Sequence, residues 1–419
     1  MEMEADFSMA DSKEDMKKKA NRFLAVCGCT LVALGVLVAA FNVFVDPYML
    51  FGRPRITGFN AKKPSVHDQL YLVKAYDVFR ARPKTILLGS SGVAIGLDAR
   101  SPEWPADMRP VYNLALLGGS TSSSFRYLQH ALTEGNVRLV MIGVDFRDLL
   151  AYSAKNEPTY EKRLAVNRNG SNNYSVNRQR LYDVLFSSLS FDASIDSART
   201  LIDNIDGESS NIESGDIDFE LFRESNARFG PYPTTTVSDI FYSYLYRDGK
   251  ADLGPINDIS SILKLCHERG IKLVIIVEPA HADELEMTYL SGKWAALESW
   301  KRQLATLVAH YSETGGADTP ELWDFYEYDG YSTVSPENAQ SYMRWFLTPT
   351  HYTQELGDRV IGRVCGLVDP SFGIRLTPSG LEVRLADIRL QQAIYHSRQP
   401  SDVARMRDIY NLVRRRSSN

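Results

Sequence analysis

An uncharged, strongly apolar segment at residues 23–45 constrains this chain more than any other feature. Its 23 residues exceed the roughly 20 that an α-helix needs to cross the hydrocarbon core of a bilayer. Three lysines at 17–19 and Arg22 precede it, and basic residues beside a span favour the cytoplasmic side. We therefore predict an uncleaved signal anchor at 23–45 with a cytoplasmic tail at 1–22. The rest of the chain would lie in the periplasm or outside, tethered to the inner membrane by this single span.

The flanks of the segment leave alternatives open. Arg53, Arg55, Lys62 and Lys63 follow it, so the distribution of basic residues alone does not decide its orientation. The small residues at 38–40 (Val-Ala-Ala) resemble a cleavage site, which would make the segment a secretory signal. We prefer an anchor because a short N-terminal tail followed by a long polar domain is typical of one.

Charge and cysteine content exclude several classes of protein. A formal net charge of -5, without a basic stripe, argues against a nucleic-acid partner. Two of the four cysteines lie inside the apolar segment, so only Cys266 and Cys365 are candidates for a disulfide, and two buried thiols are the simpler interpretation. The sequence contains neither a CxxC pair nor an HExxH motif, so we expect no metal site and no cofactor.

Residues 65–380 alternate helical patterns with short apolar runs, which is typical of an α/β fold with a parallel sheet. We expect a three-layer α/β/α sandwich around about five strands, joined to the anchor by a connector at 46–64. Nearly continuous apolar character marks strands that are covered on both faces. The five strand candidates are 85–88, 111–115, 139–144, 273–277 and 322–325.

Two regions depart from this alternation. Residues 150–250 are rich in Asn, Ser and Asp, with helices expected near 178–189 and 194–205, and we interpret the region as an insertion that forms a lid or a cap. Residues 381–419 form a charged helical tail. The polar segment 1–16 has no apolar period and is expected to be disordered.

The first strand candidate leads directly into the sequence Gly-Ser-Ser-Gly at 89–92. A serine on a tight turn between a strand and a helix exposes its hydroxyl group next to backbone N–H groups that stabilise negative charge. Ser91 is therefore a candidate nucleophile. Phosphate-binding loops and ordinary turns after strands also contain small residues, so this motif has little meaning alone.

Further candidates follow the next strands. Gly118 could bring a backbone N–H close to an oxyanion, although the run of hydroxyl residues after it also suits a helix N-cap at Ser120 or Thr121. Asp145 ends the third strand candidate, and the carboxyl edge of an open parallel sheet is where ligands bind. Glu278 and His281 follow the fourth, where His281 is either a structural residue or part of the cleft.

The last candidate is His351, which lies in a Thr-Pro-Thr-His sequence just before an amphipathic helical pattern. Histidine is the commonest general base because its ordinary pKa lies near neutrality.

In combination, these motifs resemble the SGNH hydrolases, in particular a membrane-anchored extracytoplasmic branch related to alginate O-acetylation proteins and the D-alanyl-lipoteichoic acid protein. The resemblance covers roughly residues 23–368. It implies that Ser91 is the nucleophile and His351 its base, and that Ser91, Gly118 and Asp145 occupy the oxyanion-hole positions. It also implies a polysaccharide acceptor and a multi-span membrane acyltransferase that supplies the acyl group.

Two positions depart from the family pattern. Asp145 stands where an asparagine is usual, so a carboxylate would face the oxyanion unless it points away. Thr348 stands where an aspartate usually orients the histidine; either a Ser-His dyad acts alone, or Asp324 or Glu278 is the orienting acid. The sequence thus predicts a serine O-acyltransferase that acts on envelope or secreted polysaccharide. A carbohydrate esterase and an inactive polysaccharide-binding or assembly factor are the alternatives.

Overall fold

The computed structural model describes residues 2–151, 159–205, 207, 215, 237–238, 241, 254–312, 318–335, 344–367 and 371–416. The chain divides into two compact units. Unit 1 contains residues 1–68 and 177–210, and unit 2 contains residues 69–176 and 211–419. Of the insertion expected at 150–250, residues 152–158 and nearly all of 206–250 lie outside the described residues, and its helices at 177–202 belong to unit 1.

A six-stranded sheet forms the centre of unit 2. Five strands are parallel, in the order β2-β1-β3-β4-β5, and the short β8 pairs antiparallel with β5. The bounds are β1 Thr85–Leu88, β2 Val111–Asn113, β3 Leu139–Val144, β4 Lys272–Val277, β5 Glu321–Asp324, β6 Phe346–Thr348, β7 His351–Tyr352 and β8 Ile374–Arg375, of which β6 and β7 form a separate hairpin. The prediction of an α/β fold with a mostly parallel sheet is confirmed.

The sheet owes its position to the apolar runs identified in the sequence. Residues of β1 and β3 are buried along their whole length, as expected for strands that pack on both faces. The edge strand β8 was not predicted, because two exposed residues carry no apolar pattern.

Helices connect the strands of unit 2 and follow the periodic segments of the sequence. Their bounds are α2 Leu70–Ala81, α3 Ser91–Gly96, α4 Thr121–Ala131, α5 Phe146–Ala151, α8 Gly254–Arg269, α9 Ala282–Leu290, α10 Trp294–Ser312, α11 Gln354–Val364, α12 Leu381–Arg398 and α13 Pro400–Arg416. The sequence pattern missed α3, α5 and α9. They are short, with α3 and α5 only six residues each, too short to show a helical period.

The charged tail at 381–416 is part of unit 2. Its helices α12 and α13 bury Leu385, Ile388 and Met406 in the main apolar core. Arg405 forms an ion pair with the fully buried Asp283 at 2.6 Å, and it attaches α13 to α9. Apolar burial therefore holds these helices to the unit despite their charge.

Unit 1 consists of the long helix α1 (Glu2–Val45), the connector, and the helices α6 (Val176–Leu189) and α7 (Phe191–Ile202). The helix begins at Glu2, so it includes the polar segment for which disorder was expected; pairs such as Asp15 and Lys19, at 2.8 Å, support helix there. Its part Asp15–Val45 is long and apolar enough to cross a membrane, with a mean hydropathy of 2.5 over its best window.

Candidate active site

The candidate residues follow the carboxyl ends of neighbouring parallel strands. Ser91 comes after β1, Asp145 after β3 and Glu278 after β4, and these three strands are adjacent in the sheet. Because parallel strands all end at the same edge, the topology brings these residues together at the site where open α/β sheets bind ligands.

Ser91 and His351 are in direct contact. Ser91 is the first residue of α3, in the tight turn after β1, and its Oγ lies 2.8 Å from Nε2 of His351. The two residues are 260 positions apart in the chain. This is the distance and atom pair that a serine nucleophile and its general base require.

The β6–β7 hairpin orients His351. Thr348 and His351 are cross-strand partners in this hairpin, and Thr348 Oγ1 lies 2.7 Å from Nδ1 of His351. Thr350 Oγ1 lies 3.2 Å from the same nitrogen. With its proton on Nδ1, the ring donates to Thr348 and leaves Nε2 free to accept the serine proton. A hydroxyl thus occupies the place of the usual carboxylate: it can fix the tautomer but carries no charge to stabilise an imidazolium.

His351 is held in the neutral form. Burial and, to a smaller extent, the positive charge of Arg147 lower its pKa to about 3, although the negative charge of Asp145 partly opposes them. The base form therefore predominates at neutral pH. Protonation of His351 during a reaction therefore requires a change at the site that raises its pKa, such as the binding of a negatively charged group or the formation of a negatively charged intermediate.

This shift predicts how stability depends on pH. In the unfolded chain His351 takes up a proton below its ordinary pKa of 6.5, whereas in the folded protein it does so only near 3. The unfolded state therefore binds more protons in this window, and the free energy of unfolding decreases as the pH falls through it. We expect the variant His351→Gln to lose less stability than the wild type between about pH 6.5 and about pH 4.

Chemical unfolding at several pH values measures this difference. The control is the variant His310→Gln, at an exposed position on α10, which should keep the wild-type pH dependence. Equal pH slopes for His351→Gln and the wild type would contradict the lowered pKa.

Asp145 is engaged by Arg147. The backbone N–H of Arg147 donates to one carboxylate oxygen at 2.8 Å and its Nε donates to the other at 2.6 Å. Arg147 also lies 3.4 Å from the buried Glu284. A carboxylate can only accept hydrogen bonds, and the Asp145 carboxylate accepts them from Arg147. Asp145 therefore does not donate a hydrogen bond to an oxyanion. The donors that the resemblance implies are then the backbone N–H groups of Ser91 and Gly118.

Glu278 lies directly against the serine turn. A Cβ atom placed on Gly92 or Gly143 would come within 2.1 Å or 2.7 Å of its carboxyl oxygens, so glycine at both positions makes room for this side chain. Burial raises the pKa of Glu278 well above its usual range, and Asp145 and Asp148 raise it further. Glu278 is therefore a neutral acid in the folded protein, packed under the nucleophile.

Two further groups belong to this buried cluster. Burial and the charge of Asp145 raise the pKa of Asp148 to about 7. The phenol of Tyr352 is fully buried, and burial together with Glu278 raises its pKa well above the usual value. Arg147 is thus a cation among several acidic groups whose pKa values are raised by burial.

The glycines that follow β2, at 118 and 119, were interpreted either as a source of an oxyanion donor or as the approach to a helix N-cap. Gly118 is exposed in a turn with φ +64, with open space where its Cβ would lie. Ser120 is the N-cap of α4 and forms a capping box with Ser123. The hydroxyl run after the glycines is therefore explained by the helix cap, whereas the open space at Gly118 is compatible with a ligand.

His281 and Asp324 have structural partners. His281 is buried, accepts from the backbone N–H of Asp283 as the N-cap of α9, and its ring packs edge-on against Phe346 at 5.6 Å. Asp324 is fully buried, and Lys301 Nζ donates to both its oxygens at 2.9 and 2.8 Å. Of the two candidate orienting acids, Asp324 is held by Lys301 and Glu278 lies under the serine turn. The hydroxyl of Thr348 lies at Nδ1 of His351, where an orienting acid would lie.

The sequence analysis did not identify Arg147, Asp148 and Thr350 as members of the site, and it did not predict that Tyr352 is buried within it. The only available signal for Arg147 and Asp148 was their position just after Asp145. The aromatic residues near His351, namely Trp345, Phe346 and Tyr352, are buried.

The chain matches neither a known protein-family model nor a curated protein.

Proposed function

We propose that this protein is a membrane-tethered serine acyltransferase with an SGNH-type fold that acts through an acyl-enzyme on Ser91. The observation that carries the proposal is the 2.8 Å contact between Ser91 Oγ and Nε2 of His351. A serine at the start of a helix, next to a neutral imidazole, combines a nucleophile, a base and nearby backbone N–H groups.

The reaction would proceed in two steps. Ser91 Oγ attacks the carbonyl carbon of an acyl donor while His351 takes the hydroxyl proton, and the backbone N–H groups of Ser91 and Gly118 stabilise the oxyanion. The leaving group departs with the proton from His351. The acceptor hydroxyl then attacks the acyl-enzyme and gives its proton to His351. The bond between the acyl carbon and Ser91 Oγ breaks, and His351 returns the proton to Ser91 Oγ.

The acceptor is proposed on the basis of location. A helix that can span a membrane would hold the site near the surface, where polysaccharides are made or exported, and a sugar hydroxyl is then the abundant nucleophile. The family resemblance further suggests a multi-span membrane acyltransferase as the source of the acyl group and the periplasm or exterior as the compartment. With water as acceptor, the same site would be an esterase.

Labelling with a fluorophosphonate tests the acyl-enzyme directly. The full chain in detergent should form one adduct, which peptide mapping places on Ser91, and the variant His351→Ala should react much more slowly. Ser90→Ala, at the neighbouring N-cap position, is the matched control and should react normally. A folded protein that forms no adduct would instead favour a polysaccharide-binding or assembly factor that does not use Ser91.

Variants of Thr348 test its role in orienting the imidazole. Thr348→Val has the same shape without the hydroxyl and should lower kcat/KM for a surrogate ester about 10-fold, because the tautomer of His351 is no longer fixed. Thr348→Asp should raise kcat by about 10-fold, because a carboxylate stabilises the imidazolium that forms in the transition state.

The pH profile of Thr348→Asp provides a second readout. The new carboxylate should raise the pKa of His351, so the acid limb of kcat/KM should move to higher pH than in the wild type. If Thr348→Val has wild-type kinetics, the threonine hydroxyl does not orient the base.

A further inference from the structure

Asn42 attaches α1 to the helices α6 and α7 inside unit 1. Its side chain is fully buried; its amide group donates to the backbone oxygen of Ser188 at 2.9 Å and to Ser194 Oγ at 3.0 Å, and its oxygen accepts from Ser197 Oγ at 2.8 Å. Asn42 is three residues before the end of α1, which corresponds to about 4.5 Å along the helix axis. The contact therefore lies within the last turn of the apolar segment.

The contacts of α7 follow a consistent order along the connector. Ser194 and Ser197, near the start of α7, contact Asn42, whereas Asn204, just after its end, contacts the backbone of Lys62 at 2.9 and 3.0 Å. Tyr48, just after the end of α1, donates to Asp196, which lies between Ser194 and Ser197 in α7, at 2.6 Å. The turn between α6 and α7 thus lies beside the apolar segment, and the end of α7 lies beside the polar connector.

An apolar surface surrounds this turn. Leu189 and Phe191 flank Ser190 in the turn, and Phe191 is 79% exposed. Further apolar residues continue along one side of each helix at helical spacing. The exposed apolar residues of this surface, here called the hairpin face, are Leu181, Tyr182, Leu185, Leu189, Phe191, Ile195 and Ile202.

We propose that the hairpin face inserts into the membrane–water interface of the bilayer that α1 spans, at the end of α1 where Asn42 lies. The inference depends on α1 as a membrane span and not on the chemistry of Ser91. The surfaces of soluble proteins rarely expose so many large apolar side chains together, and such a patch marks a site of interaction. An amphipathic helix at an interface buries its apolar face to about 5–10 Å depth.

Lipid is the occupant that the position of the turn favours. The hydrogen bonds to Asn42 hold the turn at the depth of the last helical turn of α1, whose Phe44 is itself 63% exposed and would face acyl chains. The hairpin face continues this lipid-facing surface. The bonds to Asn42 also explain a polar residue within the span, because a polar side chain in hydrocarbon needs partners in the protein.

The charged residues of the hairpin are compatible with this depth. Asp192 is exposed in the first turn of α7, where the helix N-terminus stabilises a negative charge. Arg178, Arg180 and Arg199 are exposed farther from the turn, where their side chains can reach lipid headgroups.

Depth-dependent quenching in vesicles tests the proposal with the full chain. The four free cysteines are replaced by alanine, and an environment-sensitive fluorophore is attached to one new cysteine at a time in phosphatidylethanolamine–phosphatidylglycerol vesicles that contain nitroxide-labelled lipids. Phe191→Cys reports on the hairpin turn, Phe44→Cys is the reference within α1, and Lys264→Cys, exposed on α8, is the aqueous control. Circular dichroism verifies that each variant is folded.

We expect the label at position 191 to emit at shorter wavelength than the label at 264 and to be quenched by the lipid nitroxides, like the label at 44. Quenching at 44 but not at 191, with iodide access at 191, would show that the hairpin face is in water and would overturn the proposal. Protection of position 191 from both lipid nitroxides and iodide would also overturn it, because a second copy of the chain would then cover the face. If position 44 is not quenched, α1 does not span the bilayer and the proposal fails with it. Fluorophosphonate labelling of Ser91 is independent of all these results.

Discussion

Replacement of Ser91 by alanine should lower the rate of acyl transfer from a surrogate ester by about 10⁴-fold or more, with the fold unchanged. The reason is that Ser91 Oγ is the atom that forms the covalent bond, and the contact with Nε2 of His351 at 2.8 Å supplies the base. His351→Ala should cost a similar factor. The double variant should be no slower than the worse single variant, because the two residues act as one unit.

Hydrolysis of p-nitrophenyl acetate by the purified full chain measures these rates. Ser90→Ala is the matched control and should retain activity, since its side chain is next to the nucleophile but is not in contact with His351 in the proposed reaction. If Ser91→Ala keeps most of the wild-type rate while Ser90→Ala does not, the nucleophile has been misassigned. Multiplicative effects of Ser91→Ala and His351→Ala would show that the two residues act independently.

Replacement of Asp324 by asparagine should destabilise unit 2 by about 3–5 kcal/mol. Asp324 is fully buried between two cations: Lys301 Nζ lies 2.8 Å away and Arg384 Nε lies 3.2 Å away. Burial alone would raise its pKa, but Lys301 and Arg384 hold the pKa of this carboxyl below its usual range. The amide would leave two buried cations with less compensation, and the loss of one charge from such a group is costly.

Thermal unfolding followed by circular dichroism measures the effect. Glu382→Gln is the control, since Glu382 pairs with Arg302 at 2.7 Å on the surface and its side chain is 65% exposed, so its loss should change little. The esterase activity of the same variant tests whether Asp324 orients His351. An Asp324→Asn variant as stable as the wild type but with low esterase activity would make Asp324 the orienting acid after all.

Some of the site could be predicted from the sequence because its residues follow apolar strands. The strands predicted at 85–88 and 139–144 have the same bounds in the structure, since strands buried on both faces are recognisable from continuous apolar character. Once two adjacent parallel strands are known, polar residues after them, such as Ser91 and Asp145, are expected at one edge of the sheet.

Other parts of the site depend on contacts that no local pattern records. In the sequence, Thr348 stands where the acid of a triad is usual. The β6–β7 hairpin places its hydroxyl 2.7 Å from Nδ1 of His351. The hairpin is too short to show an alternating pattern. Likewise, Gly92 and Gly143 are ordinary small residues in the sequence, and only the packing shows that they make room for Glu278.

The sequence by itself determined the parallel α/β fold, the apolar helix at the N-terminus, and the residues that end the strands, because each depends on local hydrophobic pattern and length. The tertiary structure alone decided which of those ends meet. It brought Ser91 to His351 over 260 residues, turned Asp145 toward Arg147, and placed the hairpin of α6 and α7 beside Asn42. These pairings depend on burial and on the satisfaction of polar groups, which are properties of the packed chain and not of any one segment.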